Sequence, residues 1–430
     1  MNLKINIKKY FLITILSVLF LFCICMLPSI LVLADKPLVI VIDPGHGGEN
    51  LGAEYDGYTE KEITMPMAIA MKEELEKYDN VKVYLTHEDD VDMSIWERAE
   101  FAKDVNADFL FCLHFNASVH HNLYGAEVWV PSEGEYYAKC YAFAEILMAQ
   151  FEEMGLYSRG IKTRLNDDGI DYYGILRYCS SKEIQIPAVL IEHCHLDNEN
   201  DKGFYQKSEE QIKEFGRQDA LAVAKYFGLT SSETGADFSA YPVSDISVPE
   251  GRVEPDKTPP EICQIEVTDV NKETGEVTLS IEAYDTDSYI LYCNYSIDGG
   301  KTYSPLLKWP RPKWDQSDKK HSLTVLVPFG KETELKVKAY NGFDVWTESK
   351  SAYVASIEDP LVKKEREAKA EELRKQRAYE EISINDGEQV PKAPIWPVLA
   401  GITVIVFCMF LMVIFLTRSI FRLIECNSKQ

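Results

Sequence analysis

The chain is short of positive charge. Its 430 residues carry 45 lysines and arginines against 69 aspartates and glutamates, a formal net charge of −24. That balance excludes the basic face a nucleic-acid binder needs, so no nucleic-acid partner is expected. The CxxC spacing is also absent among the ten cysteines, which argues against a structural zinc ribbon. Cys23, Cys25, Cys408 and Cys426 lie in or beside the apolar chain ends, and the other six are scattered. Cys263 and Cys293 fall in one β-rich stretch, which leaves a bridge between them open. There is no internal repeat.

Long apolar runs, by contrast, occur twice. Residues 11–34, "FLITILSVLFLFCICMLPSILVLA", contain no charge; Lys4, Lys8 and Lys9 precede them and Asp35 follows. Residues 1–34 therefore read as a signal anchor or signal peptide. Residues 395–417, "IWPVLAGITVIVFCMFLMVIFLT", are long enough as a helix to cross about 30 Å of hydrocarbon. Arg418 and Arg422 follow, in a tail of residues 418–430 expected to be cytoplasmic. Basic residues thus flank the pair of runs on their outer sides. By the positive-inside rule the chain is tied to the cytoplasmic membrane, with everything between the runs on its extracytoplasmic side.

The stretch between the runs changes character along its length. Over residues 35–228 short apolar segments alternate with amphipathic ones. Strands are expected at 37–43, 81–86, 108–114, 125–130 and 188–193, and helices at 62–78, 94–105, 136–154 and 207–227. Pro66 is compatible with the first helix only near its first turn. This alternation predicts an α/β domain, a mostly parallel mixed sheet flanked by helices, whose site lies beyond the carboxyl ends of the strands. Residues 229–258 are rich in Ser, Pro and acid and read as a linker. Residues 259–356 alternate with period two in "EVTLSIEAY" and "ELKVKAY", and Asp298-Gly299 marks a hairpin. They predict an all-β, immunoglobulin- or fibronectin-like sandwich. Residues 357–394 include a charged helix former, read as a stalk to the second membrane helix.

From Leu38 the chain reads "LVIVIDPGHGGENLGA". A β-branched run enters a turn with His46 set among glycines. Either this is a tight turn that happens to hold a polar residue, or a histidine is presented at a strand end for metal or catalysis. His114 and Glu192 also fall at the ends of strand candidates, and Glu60 begins a helix candidate. Two histidines and a carboxylate from separate elements suit a catalytic zinc site with an open position, where water is acidified. A second carboxylate can then move the proton. Positions alone do not choose between these readings.

The surrounding motifs are more specific. They are Asp43–Gly48 as "DPGHGG", Glu60-Lys61-Glu62, "THEDDVDMSIWERAEFAKDVNAD" over 86–108, "CLHFNA" over 112–117, "PAVLIE" over 187–192, and Asn198-Glu199. Over residues 37–228 the chain resembles the zinc-dependent N-acetylmuramoyl-L-alanine amidases of the Amidase_3 type. The resemblance implies Zn2+ held by His46, Glu60 and His114, with Glu192 as general base and acid. It also implies hydrolysis of the amide between N-acetylmuramic acid and the L-alanine of the peptidoglycan stem. Asp43 is either an orienting partner of a ligand or a turn cap. Arg177, in "YYGILRYCS", and Asn116 are the candidate substrate contacts, Arg177 through a bidentate fork to a carboxylate. Residues 160–174 are expected to form a polar loop beside the cleft that binds the peptide stem or closes as a lid. Tyr172 and Tyr173 either pack internally or stack on sugars.

Two departures stand out. His87 replaces a usual arginine, and "EHCHLDN" replaces the small residue and aromatic that usually follow the glutamate. Alternation would send His193 and His195 to one side, lining the cleft or, alternatively, forming a second metal site. The altered segment also keeps open an impaired amidase that binds peptidoglycan as a sensor or scaffold. A protein partner recruited through the sandwich is a further expectation.

Overall fold

The structure, a computed structural model, describes residues 36–385. Both apolar runs read as membrane segments lie outside the described residues, and no helix among those described is long and apolar enough to cross a membrane. The described chain divides into a large unit ending at Ile357 and a second unit beginning at Glu358.

The large unit begins with β1 (Leu38–Pro44), a short ribbon of β2 (Glu54–Tyr55) and β3 (Tyr58–Thr59), and α1 (Glu60–Leu75). β4 (Val81–Leu85) and α2 (Ile95–Asp104) follow, then β5 (Phe109–Asn116), β6 (Ala126–Trp129), α3 (Gly134–Glu153) and β7 (Ser158–Lys162). The domain closes with α4 (Gly174–Cys179), β8 (Ala188–His195), α5 (Glu199–Lys202) and α6 (Glu209–Phe227). Six strands form one sheet in the order β4-β1-β5-β8-β6-β7. All neighbours are parallel except β6 and β8, so the sheet is mixed, as expected.

Alternation along the central strands explains why both faces are covered. Ile40, Ile42, Phe109 and Phe111 pack with Met67 of α1, Phe143 of α3 and Phe215 of α6. Val41, Leu110 and Cys112 point the other way and pack with Ala99 of α2 and Ile175 of α4. Ser94 starts α2 with a capping box closed by Glu97. Pro66 lies inside α1, beyond the first turn to which the sequence reading confined it. Packing of Ile63, Met67 and Met71 in the core outweighs the one backbone bond that proline removes.

The expected loop at 160–174 needs correction, because residues 160–162 belong to β7. The strand was missed because Lys162, and Arg159 just before the segment, are charged. Both are buried, with Arg159 Nε and Lys162 Nζ each 2.8 Å from Glu127 Oε2. A hydrophobic pattern cannot reveal a strand whose inward groups are ion-paired.

The C-terminal part of the large unit is built from β9 (Ile262–Val270), β10 (Glu276–Tyr284), β11 (Ile290–Ser296), β12 (Leu307–Lys308) and β13 (Lys320–Leu326). It is completed by β14 (Thr333–Asn341), β15 (Trp346–Glu348) and β16 (Ala352–Val354). The antiparallel sheets β13-β10-β9 and β12-β11-β14-β15, the latter with β16 on β14, enclose Val277, Leu279, Ile281, Trp309, Leu335 and Val337. Cys263 and Cys293 are separate buried thiols in this core and form no bridge. Asp298 sits in a long β11–β12 connection and accepts the amides of Lys301 and Thr302, rather than making a two-residue hairpin. In the second unit, α7 (Pro360–Asn385) is exposed along residues 361–381.

The β-rich part caps the free edge of the amino-terminal sheet. At β7, Tyr289 donates its hydroxyl to the Arg159 carbonyl at 2.6 Å, and Arg311 donates to the Ser158 carbonyl. Tyr124, Leu291, Tyr292 and Leu306 form an apolar cluster across the join, with Tyr157 and Tyr289 packed against it. Gly160 has φ +93°, and a Cβ there would stand 1.8 Å from the Tyr289 hydroxyl. Glycine is thus required by both backbone and contact. Gly160→Ala is expected to destabilise the large unit by about 1–3 kcal/mol in denaturant titrations of the full chain, through crowding at the join. Pairing it with Tyr289→Ala should recover part of that loss.

Candidate metal centre

β1 ends in a turn at which His46 adopts φ +68°. The turn is crowded: a Cβ on Gly45 would lie 2.5 Å from His114 Cε1. Glycine beside His46 therefore lets the β1 turn approach the end of β5. Glu60, the first residue of α1, is buried between the two histidines. Its Oε2 lies 2.9 Å from His46 Nε2 and its Oε1 2.8 Å from His114 Nδ1. The three side chains offer ligand atoms within 4.8 Å of one another, the single such group of His, Cys, Asp or Glu among the described residues. Burial alone would raise the Glu60 carboxyl, but hydrogen bonds and charge from His114 and His46 hold it well below the usual carboxylate range. His46 is raised: burial opposes its charge, and Glu60 outweighs burial.

Glu192 lies opposite His114 in the β5–β8 register. It lines the same cavity, of about 380 Å³, as the three candidate ligands. Burial, reinforced by the negative charges of Glu60 and Glu127, pushes its carboxyl far above the ordinary value. Its Oε2 is buried with no hydrogen-bond partner. Two imidazoles and a carboxylate converging beside an unpartnered buried oxygen fit a zinc-type ion with one position left for water. Asp43 is not among the convergent group. It accepts from Arg98 Nη1 at 2.7 Å, Thr86 Oγ1 at 2.6 Å and Cys112 Sγ at 3.0 Å.

Arg98 carries a role that sequence reasoning missed. Besides Asp43 it binds the Pro44 carbonyl through Nη1 at 2.7 Å and the His46 carbonyl through Nη2 at 2.6 Å. One buried guanidinium thus sets the path of the turn that presents His46. The only sequence signal was its place in "IWERAEF", inside a motif noted for resemblance rather than chemistry. Glu127 was missed too. It accepts Asn116 Nδ2 at 2.8 Å and holds both Arg159 and Lys162.

The remaining candidates separate. Asn116 lines the catalytic cavity, with its amide engaged by Glu127 and its Oδ1 by the Ala117 amide. Arg177 turns its Nη1 to the carbonyls of Asp171 and Tyr172 at 2.7 and 3.0 Å. His193 and His195 do not share a site, because the β5–β8 register shifts between them. His193 packs among Phe115, Phe151 and Phe215, with Nε2 2.9 Å from Asp219. His195 faces the Gly125 carbonyl at 3.1 Å, and burial followed by the Arg159 charge pushes it down to about 4.

If the His46–Glu60–His114 group holds a metal ion, Arg98→Lys, which cannot reproduce the three-way fork, is expected to weaken that binding by about 10–100-fold. Competition with a chromophoric chelator would check this. An unchanged affinity would show that the turn holds itself.

Residues 40–224 match the family described as N-acetylmuramoyl-L-alanine amidase, Amidase_3. The chain is 31% identical over 196 residues to the N-acetylmuramoyl-L-alanine amidase CwlM of Bacillus licheniformis, covering 45% of this chain and 70% of that relative. It is 27% identical over 193 residues to the amidase LytC of Bacillus subtilis, covering 45% and 35%. The catalytic domain of CwlV from Bacillus (Paenibacillus) polymyxa aligns with 44% of this chain and 98% of its own length, at 26% identity and a TM-score of 0.37. With the match running from β1 through most of α6, the chain belongs to the N-acetylmuramoyl-L-alanine amidase family.

Proposed function

We propose that this protein is a zinc-dependent peptidoglycan hydrolase that cleaves the amide between N-acetylmuramic acid and the L-alanine of the stem peptide. The observation that carries the reading is the convergence of His46, Glu60 and His114 beside the unpartnered Oε2 of Glu192. Those three residues would hold the ion. When bound, zinc supplies Lewis acidity, polarising the carbonyl and making water more acidic. Glu192 takes the proton of the attacking water and returns it to the departing alanine amine. Arg98 and Asp43 keep the His46 turn in place during both. Asn116 acts on substrate from the cavity wall, and Arg177 from α4.

The same proposal extends to the whole chain. Residues 1–34 and 395–417 anchor it in the cytoplasmic membrane, supported by their uncharged length and the basic residues on their outer sides. The catalytic domain (35–228), linker (229–258) and immunoglobulin- or fibronectin-like sandwich (259–356) then face the wall, with residues 357–394 as stalk. Protease added to intact protoplasts should digest the intervening domains; protection would overturn the orientation.

Purified peptidoglycan incubated with the full-length protein is expected to release stem peptides with a free L-alanine amino terminus, seen by mass spectrometry. A chelator should stop release and zinc restore it. Glu192→Gln should slow turnover by about 10²–10⁴-fold while retaining the metal. Wild-type turnover in that variant would remove Glu192 from the mechanism.

A further inference from the structure

The catalytic cavity has a neighbour. A second cavity, of about 440 Å³, shares Asn116 and Tyr173 with it as a common wall. One side of this second cavity comes from the amidase sheet and the loop after β7. The other comes from the β14–β15 turn, Phe343-Asp344-Val345, in the β-rich part. The chamber beside the chemistry therefore exists only because the two parts are docked.

Its charges are mostly committed. Four cations line it, Arg159, Lys162, Arg164 and Lys257, against three carboxylates, Glu127, Asp256 and Asp344. Glu127 holds Arg159 and Lys162, and Asp344 holds Arg159 Nη2 at 2.6 Å. Lys257 pairs with Glu254 at 3.2 Å. Arg164 is different: among the described residues it forms no ion pair, and it is exposed. Its guanidinium lies 3.7 Å over the Tyr172 ring and 6.0 Å from the Tyr173 ring. Stacking fixes the plane of the guanidinium and leaves its edge for a carboxylate.

In the intact substrate the scissile amide joins a sugar half that carries no carboxylate to a peptide half that does. A chamber whose Arg164 guanidinium rests on tyrosines and has no carboxylate partner among the described residues suits the second half. Resting on the hydrolase reading above, we propose that the inter-domain cavity is the subsite for the peptide stem. Arg164 grips a stem carboxylate beyond the L-alanine, and the Phe343–Val345 turn forms the far wall. The β-sandwich is then part of the substrate site, in addition to any recruiting role.

The test is binding to full-length protein carrying Glu192→Gln, which separates recognition from turnover. Two soluble probes are titrated by calorimetry: a muramoyl tripeptide with free stem carboxylates and the same tripeptide with them amidated. The acidic probe is expected to bind about 10–100-fold more tightly. Adding Arg164→Gln should erase that preference while leaving the amidated probe unchanged, and Phe343→Ala should weaken both. Equal binding of the two probes, no binding of either, or a preference that survives Arg164→Gln would overturn the subsite. Failure of the hydrolase reading shows separately, as wild-type protein that releases no stem peptide from the wall.

Discussion

The register between β5 and β8 is the constraint on which the site depends. Parallel pairing sets His114 beside Glu192, and side chains at paired positions leave the sheet on the same face. A slip of one residue would bury one group and leave the other at the cleft, with no imidazole and carboxylate side by side. The register is specified by burial on both faces. Leu110, Cys112 and Leu190 fill one core, and Phe111, Val189 and Ile191 the other. Shifting either strand would turn each of these residues to the wrong neighbours. Precision at the reactive groups thus comes from apolar packing several residues upstream.

Buried charge does the rest, and it does so in two separate clusters. Asp43 and Arg98 sit under the β1 turn, where an arginine with two carbonyls and a carboxylate around it has little freedom to move. Removing either partner would leave a charge stranded in the interior. Glu127, Arg159, Lys162 and Asp344 make the second cluster, which runs from the strand beside Glu192 to the β-rich part. Burial disfavours the Glu127 charge, yet Lys162 and Arg159 hold the group ionised well below the usual carboxylate range. The cluster joins sheet edge to sandwich, and Arg159 also lies against the ring of Tyr292 in the apolar cluster at the join.

The join also resolves a hazard common to open sheets. β7 is an edge strand, and an uncovered edge invites pairing with other chains. Here the edge carbonyls of Ser158 and Arg159 accept from Arg311 and Tyr289. Capping costs the strand an ordinary side chain at position 160 and requires tyrosines on the partner surface. Such a cap binds the two parts into one large unit, in keeping with the cavities that both of them line.

Much of this was legible from the residues. The apolar runs that became β1, β5 and β8 announce themselves, because a strand buried on both faces has few polar positions to spare. His46, Glu60, His114 and Glu192 were visible at element ends for the same reason: polar residues directly abutting such runs are conspicuous. β7 was not legible, since its inward groups are charged and their partners lie far away in sequence. Nor was the parting of His193 and His195, which follows from a register shift that no local alternation encodes. The sequence by itself determined the layered α/β domain, the β-rich part after it and the residues able to bind metal, through periodicity and local motif. Only the tertiary structure decided that Arg98 braces the His46 turn, that Glu127 links two cations, and that the two parts share a cavity. Those depend on charges meeting across long loops, and a buried charge finds its partner in space rather than along the chain.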